Sequence, residues 1–187
     1  GGMIPIKRPD RMVSRAYLKM AEAIAWSRIT IAAGDRCAEI GCAPGGAAQL
    51  LLARGLKVMG VDPAEIDAEV LAHPNFRHIR KRGSEVRRRE FQGIRWLFAD
   101  MNVAPTYSLD TVEEIGSYPA VPVRGMILTL KLLDWKQADE IPEYLSRIRS
   151  WGFRDVHARQ LANNRQEICV AALKHRLLRG PGAKHQK

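Results

Sequence analysis

Ionisable side chains at the ends of apolar runs are costly to place unless they pair or react, and four of them stand out in this chain. Asp100 follows Trp96-Leu97-Phe98-Ala99, and Lys131 follows Met126-Ile127-Leu128-Thr129-Leu130. Glu167 opens the apolar run at 168–173, and Lys19 sits in a helical pattern that begins at Ser14. Two amines and two carboxylates brought to one crevice would make an acid–base site. A lysine is a poor base at its reference pKa of about 10.4. Partial desolvation and a second cation nearby both disfavour the ammonium form, while carboxylates oppose that shift but orient the amine. A lysine so held can take the proton of a hydroxyl as the hydroxyl attacks an electrophilic methyl group. The plainer alternative is a solvated cluster of ion pairs capping strand ends.

A glycine-rich segment, Glu39-Ile40-Gly41-Cys42-Ala43-Pro44-Gly45-Gly46, supplies the second piece of chemistry. Gly41, Gly45 and Gly46 carry no side chains, so the backbone can approach a ligand closely. Gly41-x-Ala43-x-x-Gly46 is a partial match to the dinucleotide fingerprint, and Asp62 lies 21 residues past Gly41, where a carboxylate would accept hydrogen bonds from ribose hydroxyls. Two ribose-bearing cofactors compete for such a loop, a nicotinamide dinucleotide and S-adenosylmethionine. Glu39 can face a cationic ligand end, and Pro44 interrupts the row of amides that would cradle a pyrophosphate, so both features favour S-adenosylmethionine. A tight turn with no ligand is the bland alternative.

These residues need a scaffold that delivers strand ends to one edge. Ser14 can cap a helix running to Trp26. Strands are expected at 35–40, 57–61, 76–79, 95–99 and 125–130. Helices are expected at 47–54, closed by Gly55, at 67–72, and within 109–115. A long amphipathic helix is expected at 137–151, stopped by Gly152. Two last strands, 156–161 and 168–173, flank Ala162-Asn163-Asn164-Arg165, a hairpin signal because Asn tolerates left-handed backbone. The alternation predicts an α/β fold, a Rossmann-like, doubly wound, mostly parallel seven-stranded sheet with an antiparallel C-terminal hairpin strand. In such a sheet Asp100 and Lys131 end parallel strands at the ligand edge, and an antiparallel last strand returns Glu167 to the same edge.

With 187 residues, 46% of them hydrophobic and 27% charged, the chain suits one domain with a substantial core and excludes disorder or a fibrous protein. A net charge of +10 exceeds what solubility needs and makes a polyanionic partner the expectation. The longest uncharged run, 14 residues at 40–53, is too short and too broken to span a bilayer, so no membrane association is expected. Gly1-Gly2 ahead of Met3 reads as a cloning remnant, and no secretory leader opens the chain. Cys37, Cys42 and Cys169 lack paired spacing, and the histidines are scattered, so a reduced, metal-free, cytoplasmic protein is expected.

Cations cluster in three places. Arg77, Arg80, Lys81, Arg82, Arg87, Arg88 and Arg89 fall within thirteen residues against one acid, Glu85. Residues 174–187 hold five Lys/Arg and no acid, and Lys7, Arg8, Arg11 and Arg15 precede Lys19. Each could contact RNA phosphates or be a solvated face. The last group, nearest the proposed site, is the favoured RNA contact.

Taken in order, Ser14-Arg15-Ala16-Tyr17-Leu18-Lys19, the segment 39–46, Ala99-Asp100-Met101, Leu130-Lys131-Leu132 and Arg165-Gln166-Glu167 resemble the motifs of FtsJ/RrmJ-like methyltransferases. That resemblance spans residues 14–173. It implies transfer of a methyl group from S-adenosylmethionine to a ribose 2′-hydroxyl of RNA by a Lys19, Asp100, Lys131 and Glu167 tetrad. Lys131 would be the proton acceptor, with the other three positioning it and the ribose. Residues 157–167 look most like the catalytic domain of the large-subunit ribosomal RNA 2′-O-cytidine methyltransferases, which implies ribosomal RNA or a precursor particle as partner. The implied cofactor residues are Glu39, Gly41, Ala43, Pro44, Gly45, Gly46, Asp62, Ser84 and Asp100. Two positions depart from the family pattern, Ala47 where Trp is common and Ser84 where an acid would meet the adenine amino group. The methyltransferase domain is expected at 3–174, followed by a disordered basic tail at 175–187. A nicotinamide-dependent oxidoreductase and a non-catalytic RNA-binding module are the competing readings.

Overall fold

In a computed structural model that describes residues 9–175, seven strands form one sheet in the order β3-β2-β1-β4-β5-β7-β6. The strands are β1 (Arg36–Ile40), β2 (Lys57–Val61), β3 (Phe76–Ile79), β4 (Trp96–Ala99), β5 (Gly125–Lys131), β6 (Asp155–Arg159) and β7 (Glu167–Leu173). Strands β1 to β5 run parallel to one another, and β7 lies antiparallel between β5 and β6. This is the doubly wound, mostly parallel sheet expected from the alternation of strand and helix patterns. The closing hairpin does not simply append a strand: β7 is inserted beside β5, and β6 becomes the edge. The tail from 176 onward, together with Lys7 and Arg8, lies outside the described residues.

Helices cover both faces because the parallel strands are apolar on both sides. On one face, α1 (Ala16–Ser27), α2 (Gly46–Ala53) and the short α3 (Ala68–Leu71) pack Tyr17, Ile24, Leu51 and Val70 against Cys37, Val58 and Phe98. On the other, α4 (Pro105–Gly116) and α5 (Ile141–Ser150) bury Leu109, Val112, Tyr144 and Ile148 against Leu97, Met126 and Leu128. Because strand side chains alternate, Ala38 and Ile40 join one core while Cys37 joins the other. No helix among the described residues is long and apolar enough to cross a membrane.

Two elements differ from expectation. Helix α4 begins at Pro105, earlier than the apolar residues alone suggest, since proline is well suited to a first helical turn. The continuous helix expected at 137–151 is broken into a 3-10 segment, Trp135–Glu140, and α5. Pro142 is the cause: it has no N–H to donate, and its ring would clash with the carbonyl four residues earlier. Asp134 opens the 3-10 segment by accepting from the Lys136 amide at 2.9 Å.

Candidate active site

Lys131 is the last residue of β5 and Glu167 the first of β7, and the antiparallel register sets them directly opposite one another. Lys131 Nζ donates to Glu167 Oε1 at 2.5 Å and lies 3.7 Å from Asp100 Oδ1. Asp100 follows β4, its amide bonded to the Ile40 carbonyl at 3.1 Å, so the ends of β1 and β4 hold it. Lys19 comes from the first turns of α1 and bridges the two acids, 2.7 Å from Asp100 Oδ2 and 2.7 Å from Glu167 Oε2. Thus the structure brings Lys19, Asp100, Lys131 and Glu167 into one mostly buried, alternating chain of charges. Burial alone would lower the Lys19 pKa, but Asp100 and Glu167 outweigh it and hold the ammonium above its ordinary value. Burial would likewise raise the Glu167 pKa, yet bonds from Lys131 and Lys19 keep it below the usual carboxylate range.

A residue not singled out from the sequence anchors this arrangement. Glu22, three residues after Lys19, accepts hydrogen bonds from Ala162 N at 2.8 Å, Asn163 N at 2.9 Å and Asn163 Nδ2 at 2.8 Å. Those bonds fasten the loop before β7 to α1, which fixes Glu167 relative to Lys19. Its spacing of three from Lys19 puts both on one helix face, and that was the available signal. Behind the tetrad, Asn164 Nδ2 and Asp100 Oδ1 are buried without a hydrogen-bond partner among the described residues, and both residues line one small recess.

Asp100 also lines a second, larger space, a cleft of about 550 Å³ at the C-terminal ends of β1, β2 and β4. This is where the strand order reverses, the usual ligand position in open α/β sheets. Gly41, Ala43 and Asp62 line it together with Met101, Asn102 and Tyr107. Asp62 caps the loops around it, accepting from Ala43 N at 3.1 Å and Ala64 N at 2.8 Å. A cleft of this size with apolar walls from Ile40, Val61, Pro63 and Val103 and an acid at each end fits a nucleoside-bearing cofactor. Asp100, shared with the tetrad, puts a carboxylate-bearing residue in the wall of the cleft.

Several cofactor residues expected from the sequence stand elsewhere. Pro44, Gly45 and Gly46 do not line the cleft. Gly46 is small because protein atoms fill the space, a Cβ there meeting Ser14 Oγ at 2.1 Å, and Gly45 is required by its left-handed backbone, φ +114°, with Val70 3.2 Å from a would-be Cβ. Packing at Gly46 and backbone conformation at Gly45 each account for a glycine there. Gly41 does border the cleft, with φ at +79° and the Asp100 carbonyl only 2.7 Å from a would-be Cβ. Glu39 lies beneath the floor, only 2% exposed, because strand alternation turns it to the side of Cys37. Burial holds its carboxyl well above the usual carboxylate range, and Asp100 and Asp62 push the same way. Ser84 stands outside the cleft and meets the Tyr107 hydroxyl at 3.1 Å; Tyr107, unmarked by any sequence pattern, is the residue of that pair that lines the wall.

The favoured RNA-contact cations are partly engaged inside the protein. Arg11 is held by Asp67 at 2.7 Å and Glu69 at 2.8 Å, which ties the segment before α1 to α3. Arg15 donates to the Asn163 carbonyl at 3.5 Å.

A ribosomal RNA large subunit methyltransferase M from Pseudoalteromonas translucida (strain TAC 125) is 29% identical over 182 residues, covering 90% of this chain and 49% of the relative. The chain spans about half the length of the curated relatives it matches. Among solved structures, the fibrillarin pre-rRNA processing protein of Methanococcus jannaschii shares the fold at a TM-score of 0.66 with 11% identity, covering 90% of this chain and 80% of that one. A 1,6-didemethyltoxoflavin-N1-methyltransferase of Burkholderia thailandensis, solved with S-adenosylhomocysteine, aligns at a TM-score of 0.59 and 13% identity over 87% of this chain and 79% of its own. The profile of the FtsJ-like methyltransferases matches residues 12–157, a span that includes Lys19, Asp100 and Lys131. With that match over most of its length, the chain belongs to the FtsJ-like methyltransferase family.

Proposed function

We propose that this chain methylates a ribose 2′-hydroxyl of ribosomal RNA, of the large subunit or its precursor particle, using S-adenosylmethionine. The observation that carries the reading is Lys131 Nζ, fixed 2.5 Å from Glu167 Oε1 beside an acid that also lines the cleft. Family membership and the relative's printed name support the choice of reaction and RNA. In this reading residues 3–174 are the methyltransferase unit, 175–187 a basic extension, and the chain works in the cytoplasm with its RNA.

S-adenosylmethionine, when bound, supplies a methyl group already activated by a sulfonium. Asp62 would hold its ribose hydroxyls, Met101 and Tyr107 would flank its base, and Asp100 would face its amino-acid end. Once Lys131 has released its ammonium proton to solvent, the amine has two N–H bonds and one lone pair. Donating one N–H to Glu167 turns the amine so that the lone pair can accept the hydroxyl proton as the new O–C bond forms. The proton ends on Lys131 as an ammonium, beside two carboxylates that stabilise it. Lys19 keeps those carboxylates in place and balances their charge. Most of the acceleration comes from holding oxygen, methyl and amine in line.

The test is transfer of tritium from labelled S-adenosylmethionine to large-subunit ribosomal RNA prepared without this modification. Label should appear as 2′-O-methyl nucleotide and vanish in Lys131→Ala, with cofactor binding retained. Undiminished turnover in that variant overturns the role of Lys131. Binding of RNA without transfer to any ribosomal RNA would favour a non-catalytic module, and binding of NAD in place of S-adenosylhomocysteine would favour an oxidoreductase.

A further inference from the structure

We propose that a track of cations along the β3 edge, running from the N-terminal ends of the strands to the rim of the cleft, holds the phosphate backbone of the RNA. This deepens the function proposed above and rests on it. Among the described residues, strand β3 has one neighbour, β2, and stands at the edge of the sheet. Two grooves run along that edge. One, of about 370 Å³, opens at the N-terminal ends of β1, β2 and β3 and is lined by Arg36, Lys57 and Arg77. The other, of about 300 Å³, is lined by Arg77, Lys81, Arg87 and Arg89. Arg77 belongs to both, and Arg82, next to Lys81, lines the cleft.

Cations outnumber acids in the walls of these two grooves, whereas several cations elsewhere on the surface are held in ion pairs. Arg80 is paired with Glu65, Arg11 with Asp67 and Glu69, and Arg147 with Asp110 and Glu113. Along the track, Glu90 is the single acid in the walls, and it is bound to Arg77 at 2.9 Å. Arg36, Lys57, Lys81, Arg82, Arg87 and Arg89 make no ion pair among the described residues. Six positive charges bordering adjoining grooves and the cleft rim, without ion pairs among the described residues, repel one another and suit a chain of phosphates.

The track reads backbone rather than bases. Its one aromatic residue among those lining the grooves, Phe76, is partly buried against Gly60, where a Cβ would meet the ring at 2.6 Å, so the charged residues outnumber stacking surface. A membrane surface fits less well, because binding there needs an apolar face beside the charges. The exposed large hydrophobics Leu71, Tyr107, Tyr118 and Leu133 line neither groove.

The experiment compares the whole chain with Lys57→Gln/Arg87→Gln/Arg89→Gln, three exposed, unpaired positions whose loss leaves the core intact. The probe is a fluorescein-labelled 20-nucleotide single-stranded RNA of mixed sequence, titrated by anisotropy from 50 to 300 mM KCl. The variant should bind at least tenfold more weakly at 100 mM KCl. The slope of log affinity against log salt should shrink by about 2, at roughly 0.7 per lost phosphate contact. Arg28→Gln/Arg124→Gln/Arg154→Gln, which removes equal charge off the track, should keep the wild-type slope. Equal loss in both triple variants, an unchanged slope in the first, or loss confined to anionic phosphatidylserine vesicles overturns the track. Methyl transfer measured on the same preparations keeps the two readings apart. Transfer by the wild type with an unchanged slope in the track variant defeats the track alone, whereas a lost slope with no transfer by the wild type defeats the enzyme alone.

Discussion

Lys131 and Glu167 are cross-strand neighbours separated by 36 positions in the chain, and one hydrogen bond of 2.5 Å joins the end of β5 to the start of β7. Opposite charges facing each other on neighbouring strands stabilise the pairing and also fix the amine's direction. The same carboxylate is approached by Lys19 from α1, so Glu167 ties three elements together.

Glu167→Gln should therefore lower both activity and stability. The Glu167 pKa is held down in the folded state, so its stabilisation is complete above the unfolded carboxyl pKa of about 4.3 and is lost as pH falls through the folded value. At pH 7 the variant should lose roughly 1.5–3 kcal/mol, the range for hydrogen bonds to charged groups. Thermal melts should differ by several degrees at pH 7 and converge toward pH 3.5. A constant gap across that range would show that the ion pairs are not what Glu167 contributes.

Glu39→Gln should act in the opposite sense. Its folded pKa is raised, so between about pH 4.3 and that raised value the unfolded chain is ionised while the folded chain keeps the proton. Wild-type stability then falls with rising pH, by up to about 1.4 kcal/mol per pH unit for one proton. The variant lacks this slope and should melt higher than wild type, by a margin that grows from pH 5 to pH 8. Parallel melting curves for the two proteins would sink the assignment.

Gly46→Ala tests whether the glycine is a packing requirement. A Cβ there would lie 2.1 Å from Ser14 Oγ and 2.9 Å from the Ser14 carbonyl, so the segment before α1 must move off α2. Overpacking of this kind costs about 1–3 kcal/mol. Because Lys19 follows Ser14 by one helical turn and a half, displacement should also reduce methyl transfer. Calorimetric affinity for S-adenosylhomocysteine should change less than turnover, and the reverse order would return the glycine to a ligand role.

Glu22→Ala removes three hydrogen bonds to the loop before β7, two from backbone amides. With those amides released, stability should fall by about 1–3 kcal/mol. The rate of transfer should drop while affinity for S-adenosylhomocysteine holds, since the cleft lies on the other side of Asp100. Glu22→Gln, which keeps one of the two acceptor oxygens, should recover part of the rate. No recovery would mean that the carboxylate acts through its charge and not through the loop.

The sequence alone determined the sheet and most of its timing. Strands β2 and β3 fall at 57–61 and 76–79 as their apolar patterns predict, because each is short, β-branched or aromatic, and bounded by breakers such as Asp62-Pro63. It also determined the types of the three charged residues at strand ends, since each one bounds an apolar run, and of Lys19 in the first helical pattern. A periodicity reading overlooked Pro142, a local steric fact that was in the sequence and that splits the helix before α5. Other decisions belong to tertiary structure, because they depend on distances between segments far apart in the chain. Only packing could show that Gly46 makes room for Ser14 and that Glu39 turns under the floor. Only packing could show that Arg11 is neutralised on α3 while Lys57, Lys81, Arg82, Arg87 and Arg89 make no ion pair among the described residues. The register of β7 against β5 is the clearest case. A slip of one residue would turn Glu167 to the opposite face, and what sets that register is burial of 168–173 between two sheet neighbours, not any feature of Glu167 itself.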